Sequence, residues 1–143
     1  MKQQGDYSPA WLPDGFEERE TVGTPVPEDG WYGCVRRFYT EYESGREIYL
    51  SYEPFRIPED VQQTDSDAYF VQIHTSELRQ DVVTEKVTVN GLTGVIRVDP
   101  NSNAVYWLDT EHGLMFSVAS STVTVEELQQ LAKSVCDFSE NKE

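Results

Sequence analysis

The sequence has no long run of apolar residues and little positive charge. No stretch approaches the roughly 20 apolar residues that span a bilayer, and residues 1–10 lack the apolar centre of an export signal. We therefore expect no membrane insertion by this segment. Only 11 Lys and Arg residues stand against 26 Asp and Glu residues, which gives a net charge of -15 at pH 7. A surface of that sign repels phosphate backbones and anionic lipids, so binding to nucleic acid is not expected.

Cysteine, histidine and the motifs of common enzymes are also scarce. The two cysteines, Cys34 and Cys136, and the two histidines, His74 and His112, form no Cys-x-x-Cys pair and no zinc-site spacing. We expect the cysteines to be buried thiols, and a disulfide between them is the open alternative. Neither a Gly-x-Ser-x-Gly motif nor a Gly-rich phosphate loop occurs. The sequence therefore predicts a protein that is not an enzyme and that holds no cofactor.

The chain has enough apolar residues to form the core of one folded domain. The chain has 143 residues, of which 38% are hydrophobic and 12% aromatic, and this length is enough to bury a single core. We expect a single α+β domain over residues 9–138, with flexible ends at residues 1–8 and 139–143. Near its start, "WLPDGF" carries large apolar side chains between prolines and a turn-forming Asp-Gly pair.

Alternation of apolar and polar residues predicts most of the domain as strands. The pair Asn90-Gly91 favours a type I′ hairpin turn, because both of its residues tolerate positive φ angles. Residues 54–67 contain two prolines and read as a loop or a short helical turn, whereas Tyr69, Val71 and Ile73 alternate as in a strand. The predicted strands are residues 17–24, 31–42, 46–55, 69–74, 84–89, 92–98, 104–109 and 114–119.

The C-terminal stretch "TVTVEELQQLAKSVCDF", residues 122–138, predicts an amphipathic helix. Thr124 and Glu127 have the spacing of a capping box, and Val123 and Leu128 that of a hydrophobic staple. A helix with one apolar stripe needs a surface to cover. We therefore predict an α+β fold, an antiparallel meander sheet of about six to seven strands with the C-terminal helix packed on one face.

Two acidic turns carry residue types that can bind a metal ion. Residues 99–103 resemble the first half of a calcium loop, but Ala104 and Thr110 stand where that loop needs a glycine and a bidentate carboxylate. Asp109 and Glu111 flank His112 in another turn, and the polar composition that turns require explains them. No metal site is predicted.

Aromatic residues crowd the second and third predicted strands and give the best indication of binding. Because side chains of a strand alternate between two faces, some of these rings should point away from the core. Outward rings on a sheet can hold a protein segment, an envelope polymer or an apolar ligand, at a sheet edge where main-chain hydrogen bonds are free. The alternative is that "WLPDGF" or the loop region up to residue 82 covers them. The candidate ligand-binding residues are Trp31, Tyr32, Phe38, Tyr39, Tyr49 and Tyr52, and Tyr42 belongs to the same group.

Two separated signatures resemble the domain-of-unknown-function family 4367. They are "PAWLPDGF" near the start and "VTVNGLTGVIRV…AVYWLDTEHGLMFSVASSTVTVEELQQLAKSV" at the end, so that residues 9–136 are covered. The sequence departs from the family pattern at Val95-Ile96, where paired aromatics are common.

The resemblance implies an uncharacterised, mostly extracytoplasmic domain of bacterial membrane proteins. Such domains often follow one transmembrane helix and sometimes an anti-sigma-factor-like segment. The function it implies is a sensing or binding module outside the membrane, if the chain is a fragment of an anchored protein. If the chain is complete as given, a cytoplasmic location follows instead. A hydrolase that uses acidic residues, with or without a metal, and a purely structural spacer remain the alternatives.

Overall fold

A computed structural model describes residues 7–26, 31–55, 66–76 and 79–137, without the side chains of residues 23–26, 31–33 and 137. In this part of the chain two helices and nine strands form. The helices are α1 (Ser66–Thr75) and α2 (Val125–Ser134). The strands are β1 (Tyr7–Pro9), β2 (Phe16–Val26), β3 (Trp31–Glu41), β4 (Glu47–Pro54), β5 (Val83–Val89), β6 (Leu92–Asp99), β7 (Ser102–Asp109), β8 (Leu114–Ser120) and β9 (Val135–Asp137).

Seven strands form one antiparallel sheet in the order β2-β3-β4-β8-β7-β6-β5. Two meanders, β2–β4 and β5–β8, meet where β4 pairs with β8. The predicted α+β fold with a meander sheet of six to seven strands is thereby confirmed. Asn90 and Gly91 have φ angles of 52° and 82°, as the type I′ turn between β5 and β6 requires.

Helix α2 begins as the sequence predicts and covers one face of the sheet. The Thr124 side chain accepts a hydrogen bond from the Glu127 backbone N–H, and Val123 and Leu128 are both buried. Helix α2 contacts β7 and β8 most extensively. The main core lies beneath it and includes Leu50, Tyr52, Val105, Trp107, Phe116, Val118, Leu128 and Leu131.

The predicted strand at residues 69–74 is wrong, because this segment is helix α1. Phe70 and His74 are one turn apart, and Phe70 is fully buried against Val95 and Leu108 on the other face of the sheet. The prediction rested on only three apolar residues at alternate positions, Tyr69, Val71 and Ile73. A helix also accommodates this spacing, so the pattern does not distinguish the two structures. Of the predicted loop at residues 54–67, residues 56–65 lie outside the described part.

A second, two-stranded sheet joins the two ends of the chain. Helix α2 ends at Ser134, four residues before the end of the predicted helical stretch 122–138, and β9 then pairs with β1. Tyr7 is buried and packs edge-on against Tyr52 and Phe116. The predicted flexible segment 1–8 therefore includes two strand residues, while residues 1–6 and 139–143 lie outside the described residues.

Both cysteines are free thiols, and Cys34 is half-buried. Cys136 is exposed in β9, so the expectation of two buried thiols is wrong for this residue. Each of the two described helices has 10 residues, and neither is long and apolar enough to cross a membrane.

Candidate ligand-binding surface on the sheet

The two faces of the sheet are covered to different extents. Strands β5–β8 carry α2 on one face, while α1 lies on the other against β5 and β6. Strands β2–β4 are covered on the α2 side by the N-terminal segment, where Tyr7, Trp11 and Leu12 join the main core. On the α1 side, no described helix contacts strands β2–β4 extensively. This open half of the sheet is where a ligand has access to the strands.

Phe38 and Tyr49 lie side by side on the open half. They are direct partners in the β3–β4 register, and their ring centroids are 6.3 Å apart with the planes tilted by 40°. Tyr49 is 38% exposed, and Phe38 is half-buried. In the register of the sheet Ala119 lies beyond Tyr49, and Glu20 lies beyond Phe38. We call Phe38, Tyr49, Ala119, Glu20 and Glu47 the Phe38–Tyr49 surface.

The other candidate aromatics do not join this surface. Tyr39 and Tyr52 are 2% and 0% exposed and point into the main core, so their rings have no free face for a ligand. Burial also raises the pKa of the Tyr39 phenol. Tyr42 is 92% exposed, in the turn after β3. The side chains of Trp31 and Tyr32 lie outside the described residues.

Two adjoining clefts flank the Phe38 ring. One has a volume of about 350 Å³ and is lined by Arg19, Glu20, Phe38, Thr40 and Glu47. The other has a volume of about 260 Å³, and Phe38 and Glu47 line it too. Its remaining walls are formed by Ile48, Tyr49, Ser102, Ala119, Ser120 and Ser121. Together the clefts offer an apolar floor between acidic side chains.

The bulge in β2 lies beside the first cleft, which Arg19 and Glu20 line. The β2–β3 register shifts between Glu18 and Glu20, so Arg19 is an extra residue opposite β3. A bulge of this kind bends the strand and redirects its side chains. It also protects an edge strand from pairing with other chains, as do the exposed charges on either side of it. The edge of β2 is therefore a poor site for strand addition, and the rings offer the better contact.

The acidic turn at residues 109–112 brings three possible metal ligands together. Oxygens of Asp109 and Glu111 and a ring nitrogen of His112 all lie within 4.8 Å of one another. The His112 Nδ1 is 2.8 Å from an Asp109 carboxylate oxygen, and the Asp109 side chain also accepts the His112 backbone N–H. These hydrogen bonds within the turn hold the Asp109 carboxylate against the His112 ring and backbone.

Asp99 closes the turn between β6 and β7, as turn chemistry predicts. Its side chain accepts the Asn101 backbone N–H at 2.9 Å. Arg79 and Arg97 each place a nitrogen 3.1 Å from its other oxygen. The Asn101 hydrogen bond, assisted by the two guanidinium groups, lowers the Asp99 pKa. The carboxylate is thus held by arginines and a turn N–H.

Sequence reasoning missed the residues that frame the aromatic pair. Glu20, Glu47 and Ala119 meet Phe38 and Tyr49 only because β2 pairs with β3 and β4 pairs with β8. The first pairing could have been inferred from the short connection between adjacent strands. The second joins strands more than 60 residues apart in the chain, and no local pattern marks it.

Comparisons with known proteins give a family for the chain. No curated protein matches it significantly. A chain in the complex structure of Pseudomonas aeruginosa MucA/MucB aligns with it at a TM-score of 0.49 and 14% sequence identity. That alignment covers 92% of this chain and 34% of the other, so this chain spans about a third of the length of that neighbour. The model of the family described as Domain of unknown function (DUF4367) matches residues 6–135, and the chain therefore belongs to that family.

Proposed function

We propose that this domain is a non-catalytic binding module of a bacterial cell-surface protein, and that it holds a segment of another protein on the Phe38–Tyr49 surface. The observation that carries the proposal is the pair of adjacent, partly exposed rings on the open half of the sheet, with a cleft on each side. A protein segment fits this surface better than a compact ligand, because the two clefts share Phe38 and Glu47 and an extended chain can occupy both.

The aromatic pair can supply the apolar part of the binding energy. Burial of apolar surface contributes about 25 cal/mol per Å², and tyrosine is among the residue types that dominate protein interfaces. A side chain of the partner that covers both rings would remove the exposed part of Tyr49 from water. We expect this contact to anchor the partner.

The charge around the rings favours a basic partner. Glu20 and Glu47 border the first cleft, with Arg19 as the single basic side chain among the described lining residues. The whole chain carries a net charge of -15, so approach of a basic segment is also favoured at longer range. The expected ligand is a segment in which an aromatic or aliphatic residue stands beside Lys or Arg.

Two acidic groups among the described residues, Glu41 and Asp99, have pKa values that are shifted in the direction opposite to that of a general acid. A hydrolase of the acidic type needs a carboxylic acid with a raised pKa in a cleft. Hydrogen bonds from Arg46 and Ser44 lower the Glu41 pKa, and the Asp99 pKa is lowered as described. Both groups are therefore held in their charged form, the opposite of a general acid.

The proposal includes an extracytoplasmic location, as the family resemblance implies. Protease treatment of intact spheroplasts of the source bacterium tests it, because an external domain is cleaved and a cytoplasmic one is protected. Cleavage only after lysis would contradict this location.

Peptide selection tests the binding surface directly. Twelve-residue peptides in which aromatic or aliphatic residues alternate with Lys or Arg are selected on the immobilised domain, and the affinity of the best one is measured by fluorescence polarisation. We expect the Phe38→Ala/Tyr49→Ala variant to bind this peptide at least tenfold more weakly. The matched control is Tyr42→Ala, which removes an exposed ring outside the clefts and should leave the affinity unchanged.

Three results would overturn the proposal. The first is a library that yields no peptide with a Kd below about 100 μM. The second is equal affinity for the original protein and the double variant. The third is unchanged affinity when every Lys and Arg of the peptide is replaced by Glu, since this would remove the role of Glu20 and Glu47. Binding of peptidoglycan fragments or fatty acids in place of the peptide would point to an envelope polymer or apolar ligand.

A further inference from the structure

On the opposite side of the sheet from α2, a histidine and a methionine meet under helix α1. His74 projects from α1 and Met115 from β8, and the His74 Nε2 lies 3.3 Å from the Met115 Sδ. Two aromatic rings flank the histidine. The His74 ring stacks on Tyr106 with centroids 4.3 Å apart, and its centroid is 4.6 Å from that of Phe70.

The two facing atoms, a soft thioether sulfur and a borderline imidazole nitrogen, suit monovalent copper. A thioether sulfur and an imidazole nitrogen are both ligands for Cu(I), whereas hard divalent ions prefer oxygen. An imidazole must be neutral to bind a metal. Burial lowers the His74 pKa to about 4, so the ring is neutral over the physiological pH range.

We propose that His74 and Met115 form a two-coordinate site for Cu(I), with Ag(I) as its redox-stable substitute. The ion would lie between Nε2 and Sδ, against the face of the Tyr106 ring. An aromatic face attracts a cation and keeps water from it. No electron transfer is involved, because the ion enters and stays as the monovalent cation.

Binding requires a small movement of the methionine. Metal bonds to ring nitrogen and to sulfur are about 2.0 and 2.3 Å long, so a linear arrangement separates the two atoms by about 1 Å more than the structure does. Methionine has three rotatable side-chain bonds and adapts at low cost. The proton on Nε2, if present, moves to Nδ1 as the neutral ring changes tautomer.

The site is independent of the Phe38–Tyr49 surface. His74 and Met115 lie on the half of the sheet that α1 covers, and neither lines the two clefts beside Phe38. Failure of the peptide experiment would therefore leave the metal proposal standing, and the reverse also holds.

The experiment is an Ag(I) titration of the full chain, in nitrate buffer without chloride. Thiols bind Ag(I) more strongly than thioethers do, so Cys34→Ser/Cys136→Ser is the background for every variant. The methyl resonances of Met1 and Met115 are followed by NMR, and the affinity by calorimetry. We expect one equivalent of Ag(I) to shift the Met115 methyl resonance, with Met115→Leu lowering the affinity at least tenfold.

Matched controls separate this site from general binding. His112→Gln removes the other histidine of the chain and should leave the affinity within twofold of the background protein. His74→Gln should weaken it as Met115→Leu does. An unmoved Met115 methyl resonance at saturating Ag(I) would overturn the proposal, even if one of the variants failed to fold. Unchanged affinity in folded Met115→Leu would overturn it too.

Discussion

The two halves of the sheet differ in what lies on their faces. Strands β5–β8 are packed between α2 on one side and α1 on the other, and we call these strands with their two helices the covered half. Each interface has its own buried cluster. Strands β2–β4 are packed on one side only within the described residues, and on the other side they present Phe38 and Tyr49. Both faces of the first half are therefore covered, while the second half leaves aromatic side chains accessible on one face.

Aromatic residues on the strands therefore have two different roles, packing in the core and contact with a ligand. Tyr52 and Phe116 are fixed in the core by Tyr7, which packs on both rings. Phe38 and Tyr49 contact each other but have no such layer above them in the described structure. Loss of a core ring should lower stability, and loss of an open ring should lower ligand affinity with little change in stability.

The largest expected effect is from Phe70→Ala in the covered half. Phe70 is fully buried with Val95 and Leu108, so its removal leaves a cavity and should lower the free energy of unfolding by about 3 to 5 kcal/mol. Phe38→Ala in the open half should cost less than about 1 kcal/mol, since the Phe38 ring is already partly in water. Urea denaturation measures both values, and equal losses would contradict the comparison.

A smaller loss is expected from Gly94→Ala, also in the covered half. A Cβ atom at Gly94 would come within 2.8 Å of the Tyr106 backbone oxygen on the neighbouring strand β7. Backbone cannot move aside as a flexible side chain can, so we expect a loss of about 1 to 3 kcal/mol. Gly45→Ala is the matched control for removing a glycine, because nothing lies within 4 Å of its added Cβ. Because Gly45 has a φ of 73°, the decrease in the free energy of unfolding of Gly45→Ala measures backbone strain alone.

Acidic pH should lower the stability of the folded protein because His74 in the covered half is partly buried in its neutral form. Burial lowers the His74 pKa from 6.5 to about 4 in the folded protein. As the pH falls from about 6.5 to about 4, the unfolded chain gains a proton that the folded protein does not, so the free energy of unfolding decreases. Below that window both states are protonated and this contribution levels off.

Because His74 is only partly buried, we expect the decrease to be about 1 to 2 kcal/mol. Urea denaturation at pH 7 and pH 4.5 measures it for the original protein, His74→Gln and His112→Gln. The decrease should shrink in the first variant and persist in the second. The same decrease in all three proteins would show that His74 has no part in it.

Local sequence signals predicted much of the covered half. Asn90-Gly91 set the β5–β6 hairpin, and Thr124 with Glu127 set the start of α2, because turn and cap chemistry act within a few residues. Helix α1 and strand β9 were missed for the opposite reason. Phe70 is helical because it fills a site between Val95 and Leu108, and β9 exists because β1 from the other end of the chain pairs with it.

The candidate site could be predicted only in part, because β3 gives no clear sign of which face is buried. Arg36 and Arg37 are adjacent and so lie on opposite faces, each in line with aromatic residues. Arg37 is on the core face, where its Nε donates to the Tyr7 backbone oxygen at 2.6 Å. This inward-pointing charge is stabilised by strand β1, which is distant in the sequence. The sequence alone therefore left Tyr39 and Phe38 as equal candidates for ligand binding.

The most direct test of the binding surface is an NMR chemical-shift map of the domain with the selected basic peptide. We expect the largest changes of backbone amide shifts at Phe38, Glu47, Tyr49 and Ala119, and little change at Tyr42 and in the β5–β6 hairpin. Largest changes in the β5–β6 hairpin or around Tyr42, with the open half unperturbed, would contradict binding at the Phe38–Tyr49 surface.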